Sequence, residues 1–299
     1  MQLVKRHALR GKDGLVTSLA FSPDGVALAI VSGPPILVYN TATGEKVVGL
    51  TVPRPPCNFL CVRYSPDGGV VAAGRADGTI RLWDTASYKE RAPLGDPGPS
   101  LPYSLAFSAD GLQLVSGHFG GEVRIWDWQS GVLLRTFAVN GATANDLSFG
   151  PDGLLAVSGA EEGAEIWDAT RGERQQALTG HLLQGKSRSP ATLGVVYSSE
   201  GLIATAGWDG MVRLWDRNAV RVLAGHEGPA RGVSFSPDGR TLASCGEDKT
   251  VRLWGIDGEQ RTSASVKARL YAIAVCFSPD GRSLASTGEG YSATLWDVT

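Results

Sequence analysis

The chain has 299 residues, 28 basic and 30 acidic, for a formal net charge of −2. That balance supplies no long-range field for a nucleic acid or a membrane surface, and no run of about 18 apolar residues offers a membrane-spanning helix. The first residues, MQLVKRHALRG, hold no apolar stretch long enough for a secretory signal, so a soluble, cytoplasmic protein is expected.

Residues 1–10 read as a lone strand ahead of the first complete unit. A repeat then runs through the chain. The tetrapeptide SPDG, or a close variant, starts at Ser22, Ser65, Ser108, Gly150, Ser198, Ser236 and Ser278, at spacings of 43, 43, 42, 48, 38 and 42 residues. A strand-like run such as SLAF or GVSF precedes each copy, and an apolar run such as LVSGH or LASCG follows it. The pattern is a hairpin around a turn-forming tip. A second tight turn and an alternating third strand come next, as in ADGTIRLWD, FGGEVRIWD, WDGMVRLWD and EDKTVRLWG. The third strand ends on Trp83, Trp126, Trp167, Trp215, Trp254 and Trp296, with Tyr39 in the first unit. A more polar fourth segment, such as GEKVVGLTV or SGVLLRTFAV, leads into the next unit. Four short strands make a small sheet that cannot bury its faces alone, and seven such sheets stacked around an axis bury one another.

Trp-Asp stands at Trp83-Asp84, Trp126-Asp127, Trp167-Asp168, Trp215-Asp216 and Trp296-Asp297, and Gly-His at Gly180-His181 and Gly225-His226. With these pairs in register the whole chain resembles the WD-repeat β-propellers. The resemblance implies an all-β fold with a single domain over residues 1–299, a seven-bladed β-propeller of four-stranded antiparallel blades. The last unit stops after its third strand, at ATLWDVT. The resemblance therefore implies that the N-terminal strand, residues 1–10, pairs with the last blade and closes the ring, covering an edge that would otherwise invite aggregation.

Residues 180–187, GHLLQGKS, fit the phosphate-loop pattern, with Lys186 and Ser187 at the nucleotide-holding positions. Such a loop works only between a strand and a helix N-terminus. Here Gly180-His181 aligns with Gly225-His226, and Pro190 with the β-branched residues of RSPATLGVVY favours a strand after it. No nucleotide or other cofactor is expected. Sixteen residues separate His181 from Tyr197, against nine from His226 to Phe235, so the match marks a seven-residue insertion, a basic loop with Lys186 and Arg188.

His226, Ser244, Asp248 and Trp254 recur one unit earlier as His181, Thr205, Asp209 and Trp215. Serine, histidine and aspartate suggest a hydrolase, but a triad needs an exposed nucleophile beside oxyanion donors. The resemblance implies structural hydrogen-bond locks, running from the His through the strand-two hydroxyl to the Trp, with the turn Asp accepting from the His. No catalytic residue is expected. Asp77 keeps the turn position in another unit, while Gly33, Gly120, Glu161 and Gly290 replace it elsewhere. Those blades are expected to rely on apolar stacking. Arg81, Arg124, Arg213 and Arg252, two residues before the Trp, are expected to lay their stems along it. Cys57, Cys61, Cys245 and Cys276 lack metal-site spacing and are expected as reduced thiols, with no metal bound.

Six residues before the first-strand aromatics stand Leu15, Asn58, Leu101, Thr143, Ala191, Pro229 and Tyr271, and four before them Thr17, Leu60, Tyr103, Asn145, Leu193, Arg231 and Ile273. Arg231 alone is charged, which suits recognition better than proton transfer. A non-catalytic, monomeric platform for a protein or peptide partner is therefore expected, with neither nucleic acid nor membrane as partner. The resemblance places the loops leading into the blades and the second tight turns on one face. There Trp208, Arg231, Lys186, Arg188, Phe119, Tyr103 and Tyr271 are the expected partner-binding residues. The alternative is a sensor with a small ligand in the central channel.

Overall fold

Short alternating segments broken by glycine-containing turns form strands and no helix among the described residues. The computed structural model describes residues 1–12, 14–52, 57–141, 143–160, 163–181, 192–216, 219–265, 272–287 and 291–299. Strand β1 (Leu3–Arg10) precedes blade 1, which holds β2 (Ser18–Phe21), β3 (Ala27–Val31), β4 (Ile36–Asn40) and β5 (Lys46–Leu50). Blade 2 has β6 (Phe59–Tyr64), β7 (Val70–Arg75) and β8 (Ile80–Asp84). Blade 3 has β9 (Pro102–Phe107), β10 (Gln113–His118), β11 (Glu122–Asp127) and β12 (Val132–Ala138). Blade 4 has β13 (Leu147–Phe149), β14 (Leu154–Ala160), β15 (Gly163–Asp168) and β16 (Glu173–Thr179). Blade 5 has β17 (Thr192–Tyr197), β18 (Ile203–Gly207), β19 (Val212–Asp216) and β20 (Ala219–Leu223). Blade 6 has β21 (Ala230–Phe235), β22 (Thr241–Gly246), β23 (Thr250–Gly255) and β24 (Gln260–Ser265), and blade 7 has β25 (Val275–Phe277), β26 (Ser283–Thr287) and β27 (Ser292–Val298).

Each sheet is antiparallel with its strands in chain order, save that β1 is the outer strand of blade 7 beside β27, and the first strands lie side by side from β2 round to β25 and back to β2. The result is a seven-bladed propeller. Its turn face carries the loops leading into the blades and the turns between second and third strands, and the opposite face carries the SPDG tips. Each tip is self-bonded: Ser22 donates to Asp24 at 2.5 Å and accepts the Ala27 N–H at 2.9 Å, while Gly25 takes φ 74°. The same Ser-Asp bond recurs at Ser65, Ser108, Ser236 and Ser278. The Asp of Trp-Asp caps the next turn, with Asp84 accepting the Ser87 N–H at 2.9 Å and Asp168 the Arg171 N–H at 3.0 Å.

The core is a ring of layers between blades. Trp83 packs into the layer shared with blade 1, Trp126 into that shared with blade 2, Trp254 into that shared with blade 5, and Tyr39 into the layer where blade 1 meets blade 7. Closure follows the expected route. Strand β1 pairs with β27 from Leu3 opposite Val298 to Arg10 opposite Ser292, with a bulge between Lys5 and His7. Arg6 reaches Asp297 at 3.0 Å, and Leu9 is buried between the first and last blades.

Blade 2 departs from its neighbours in detail. Its fourth position is held by residues bridged to β8 only at Glu90 and Leu94, because Pro93 between them has no N–H to continue a ladder. Arg91 of this segment lies 5.8 Å over the Trp128 ring of blade 3, which ties the irregular edge to its neighbour.

Closure is expected to rest on apolar burial more than on charge. Leu9→Ala should cost about 2 to 5 kcal/mol, and Arg6→Ala, in a partly exposed pair, less than about 1 kcal/mol. Urea denaturation of both variants checks the order, and equal midpoints would count against it.

Candidate functional site

In blade 6 the polar groups of one layer form a single chain of bonds. The Trp254 indole N–H donates to Ser244 Oγ at 2.8 Å, the Ser244 hydroxyl donates to His226 Nε2 at 2.7 Å, and His226 Nδ1–H donates to Asp248 at 2.9 Å. Blade 5 repeats it, with Trp215 to Thr205 at 2.8 Å, Thr205 to His181 at 2.7 Å and His181 to Asp209 at 2.9 Å. Ser244 and Thr205 are completely buried. Burial holds both imidazoles below their usual pKa range, against the pull of the aspartates bonded to them. Burial also works to raise the two carboxyls, but the bonds from His181 and His226 prevail, and Asp209 falls to about 2.

Blades 1, 3, 4 and 7 do not rely on apolar stacking alone, contrary to the expectation from their missing histidines. In blade 3 His118 arrives from the end of β10, accepts from Ser116 at 2.8 Å and donates to the Ser100 carbonyl at 3.1 Å, while Trp126 donates to Ser116 at 3.0 Å. Desolvation pushes His118 down to about 4. In blade 4 Trp167 donates to the buried Glu165 at 2.9 Å, which also accepts from Arg174 at 3.0 Å. In blade 7 Trp296 donates to Ser286 at 2.9 Å, and in blade 1 Tyr39 donates to the Arg10 carbonyl. An indole or phenol buried in these layers needs an acceptor: blades 3, 5, 6 and 7 supply a hydroxyl ten residues before the Trp, blade 4 a glutamate and blade 1 a backbone carbonyl. Three of the arginines before the tryptophans pair with acids near the tight turns: Arg213 meets the turn residue Asp209 at 2.9 Å, Arg252 meets the turn residue Asp248 at 3.3 Å, and Arg124 meets Glu122 at the start of β11 at 2.7 Å.

Asp209 and Asp248 are each preceded by a turn residue that stands on the turn face, Trp208 in blade 5 and Glu247 in blade 6. Arg231 joins the two. Its guanidinium carbon lies 5.6 Å from the Trp208 ring centre and its Nε donates to Glu247 at 2.9 Å. Phe119 holds the equivalent turn place in blade 3, with its ring 6.4 Å from Tyr103, and both side chains are exposed. Trp208 with Arg231, and Phe119 with Tyr103, thus form two groups on blades 5–6 and blade 3. Lys186, Arg188 and Tyr271 lie outside the described residues, as does the phosphate-loop match beyond His181.

Deeper in the channel Arg63 of blade 2 reaches past blade 3 to Asp146 of blade 4 at 3.5 Å, and its other terminal nitrogen lies 3.3 Å from Ser18 of blade 1. Burial raises the Asp146 carboxyl, against the pull of the Arg63 charge and the Val195 and Leu147 N–H groups. Cys61, Cys245 and Cys276 are free thiols that burial pushes up to about 12, which leaves little thiolate for reaction near neutral pH.

A model of the family "WD domain, G-beta repeat" matches residues 53–84, 97–127, 172–216, 217–255 and 265–297, and the chain belongs to that family. The unmatched blades 1 and 4 are those with Tyr39 in place of Trp and Glu165 in place of Arg. The chain is similar to nuclear distribution protein PAC1-1 of Uncinocarpus reesii, at 31% identity over 279 residues covering 85% of this chain and 61% of that protein. It is similar to telomerase protein component 1 of Rattus norvegicus, at 27% identity over 333 residues covering 81% and 12%. The guanine nucleotide-binding protein subunit beta of Oryza sativa subsp. japonica is 24% identical over 262 residues, covering 85% and 59%. The chain spans between 12% and 61% of the length of these relatives.

Two outcomes follow from the locks. Ser244→Ala leaves both the Trp254 N–H and His226 Nε2 without their partner and should cost about 2 to 4 kcal/mol, whereas Ser286→Ala leaves only the Trp296 N–H and should cost about 1 to 2 kcal/mol. Denaturant midpoints rank them, and the reverse order would disprove the assignment. Between pH 6.5 and about 4 an unfolded chain protonates His118 while the folded chain refuses the proton, so this contribution is full above that window and is lost as pH falls through it. His118→Gln should therefore lose thermal midpoint less steeply across the window than the unsubstituted protein.

Proposed function

We propose that the protein is a non-catalytic interaction platform that binds a protein or peptide partner on its turn face. The observation that carries this reading is Arg231, stacked on Trp208 and held by Glu247 before any partner arrives. Arginine and large aromatics carry much of the energy of interfaces, and a pre-positioned side chain loses little freedom on binding. The lock one residue further on fixes the Trp208 turn to the blade, and the exposed Tyr103 and Phe119 extend the surface to blade 3. Against catalysis stands the burial of the Ser-His and Thr-His sets: each hydroxyl oxygen already receives an indole N–H and has no face for a substrate.

Capture of the natural partner from a lysate of the source organism tests the reading. Trp208→Ala combined with Arg231→Ala should abolish capture while lowering the thermal midpoint only modestly, because both side chains are half-buried at the turn face and outside the apolar layers. Val26→Asp and Leu112→Asp, exposed on the SPDG face, should leave capture intact. The opposite pattern would place the docking surface on the SPDG face.

A further inference from the structure

The rim of blade 5 differs from the rims of its neighbours. In blades 1, 3, 4, 6 and 7 the outer strand carries one extra residue where it passes the ring-bearing end of the third strand, and the register slips there. Val47, Leu134, Gln175, Arg261 and Arg6 are those residues. Each is a β-bulge, which leaves a residue out of the ladder and twists the exposed edge away from regular pairing. Blade 2 has only isolated bridges at its rim. Strand β20 has no bulge: Val212 to Asp216 stand opposite Leu223 to Ala219 without a break. Its outer side pairs with no strand among the described residues.

The alternation of the ladder decides what this edge presents. The Gly207 N–H bonds the Met211 carbonyl at 3.0 Å, so in the same register the backbone groups of Arg213 and Trp215 also point toward β18. Those of Leu214 and Asp216 then point toward Arg221 and Ala219 of β20, which turns the N–H and C=O groups of Val220 and Val222 outward. Such groups, two residues apart on a straight strand, are matched by the backbone of another strand. Both valine side chains are exposed, at 52% and 51%. Between them Arg221 lies on the opposite face, its stem over Gly258 and its guanidinium donating to the Ile256 carbonyl. That bond holds the guanidinium beside the edge, while Asp257 and Glu259 of the adjoining turn are both taken by Arg261.

The occupant follows from the charge at the centre of the edge. A second copy fits poorly, because the register that uses the outward groups of both valines sets Arg221 opposite Arg221, and like charges directly opposite destabilise a strand pair. No other described outer strand of this chain holds an acid between two aliphatic residues. We propose that β20 binds an extended segment of a partner as a further antiparallel strand of blade 5, with β-branched residues opposite Val220 and Val222 and an Asp or Glu between them opposite Arg221. Backbone bonds and the paired aliphatics hold the segment, and the acid selects it. The rim is separate from the turn face and binds whether or not that face does.

Amide hydrogen exchange of Val220 and Val222, followed by NMR, provides the readout. Both amides exchange freely in the protein alone, and a bound strand covers them. N-acetyl-Thr-Val-Glu-Val-Thr-amide at millimolar concentration is expected to slow both about threefold or more, and N-acetyl-Thr-Val-Lys-Val-Thr-amide to leave them unchanged. Arg221→Glu, at an exposed position, should keep the thermal midpoint and reverse the choice, so that the lysine peptide protects. Protection by neither peptide, equal protection by both, or an unchanged choice in Arg221→Glu would each overturn the proposal. Slow exchange of the two amides without peptide, deepening with protein concentration, would assign the edge to a second copy and overturn it as well. Partner capture by the Trp208 and Arg231 double variant bears on the turn face alone, so the two failures are separable.

Discussion

Each blade sends one large aromatic ring from its third strand into the layer it shares with the preceding blade, and burial there takes an indole N–H away from water. The ring supplies apolar area that a lone four-stranded sheet cannot otherwise bury, but its N–H must find an acceptor or cost a large part of that gain. Much of what distinguishes one blade from the next is the way this requirement is met. Two blades use a hydroxyl backed by a linker histidine and a turn aspartate. Blade 3 uses a hydroxyl backed by a histidine from its own second strand, blade 4 a glutamate, and blade 7 a hydroxyl alone. The period of the repeat is kept because the ring must fall in the same layer each time; in four blades the hydroxyl ten residues before the Trp is kept too, while the group behind it is free to change.

The same bonds reach the surface. In blades 5 and 6 the chain from indole to hydroxyl to imidazole ends on an aspartate in the tight turn, and the residue before it is the one presented on the turn face. A core requirement therefore holds a surface residue in place. Arg231 gains from this twice, since Trp208 and Glu247 stand in the equivalent turns of adjacent blades and the guanidinium contacts both. In blade 3 the Phe119 N–H bonds the Leu101 carbonyl at 3.0 Å, which draws the turn toward the loop that carries Tyr103.

The architecture was legible because the turns are local. SPDG encodes its own tip through a serine-aspartate bond and a glycine of positive φ, so its spacing gives the blades without knowledge of their contacts. The four residues of each full lock were legible for a similar reason, since both copies keep the same spacing from hydroxyl to Asp to Trp and both open on Gly-His. His118 and Glu165 were not, because their partners come from unexpected positions. A correlated exchange did mark His118: glycine stands eight residues before the Trp where a linker histidine needs the space, and histidine stands there where the linker has none. The irregular edge of blade 2 was written in Pro93, which the fourth-strand pattern passed over. The Arg63 to Asp146 pair had no signature, since it joins blades that are neighbours neither in sequence nor around the ring.

That pair bears on where recognition can occur. It crosses the channel because the positions equivalent to Arg63 in blades 1 and 3 are Ala20 and Ala106, too small to block the reach. An ion pair with both members partly shielded from water contributes little net stability, since desolvation opposes attraction, and the raised carboxyl of Asp146 is the mark of that opposition. Its effect is chiefly on space. A ligand passing down the axis would have to part Arg63 from both Asp146 and Ser18, leaving a carboxylate in an environment that already disfavours its charge. A partner resting on the turn face, as proposed, would not have to part Arg63 from Asp146. For the proposed platform, the turn face is thus the less costly place to bind, and the sensor alternative carries the cost of opening the channel first.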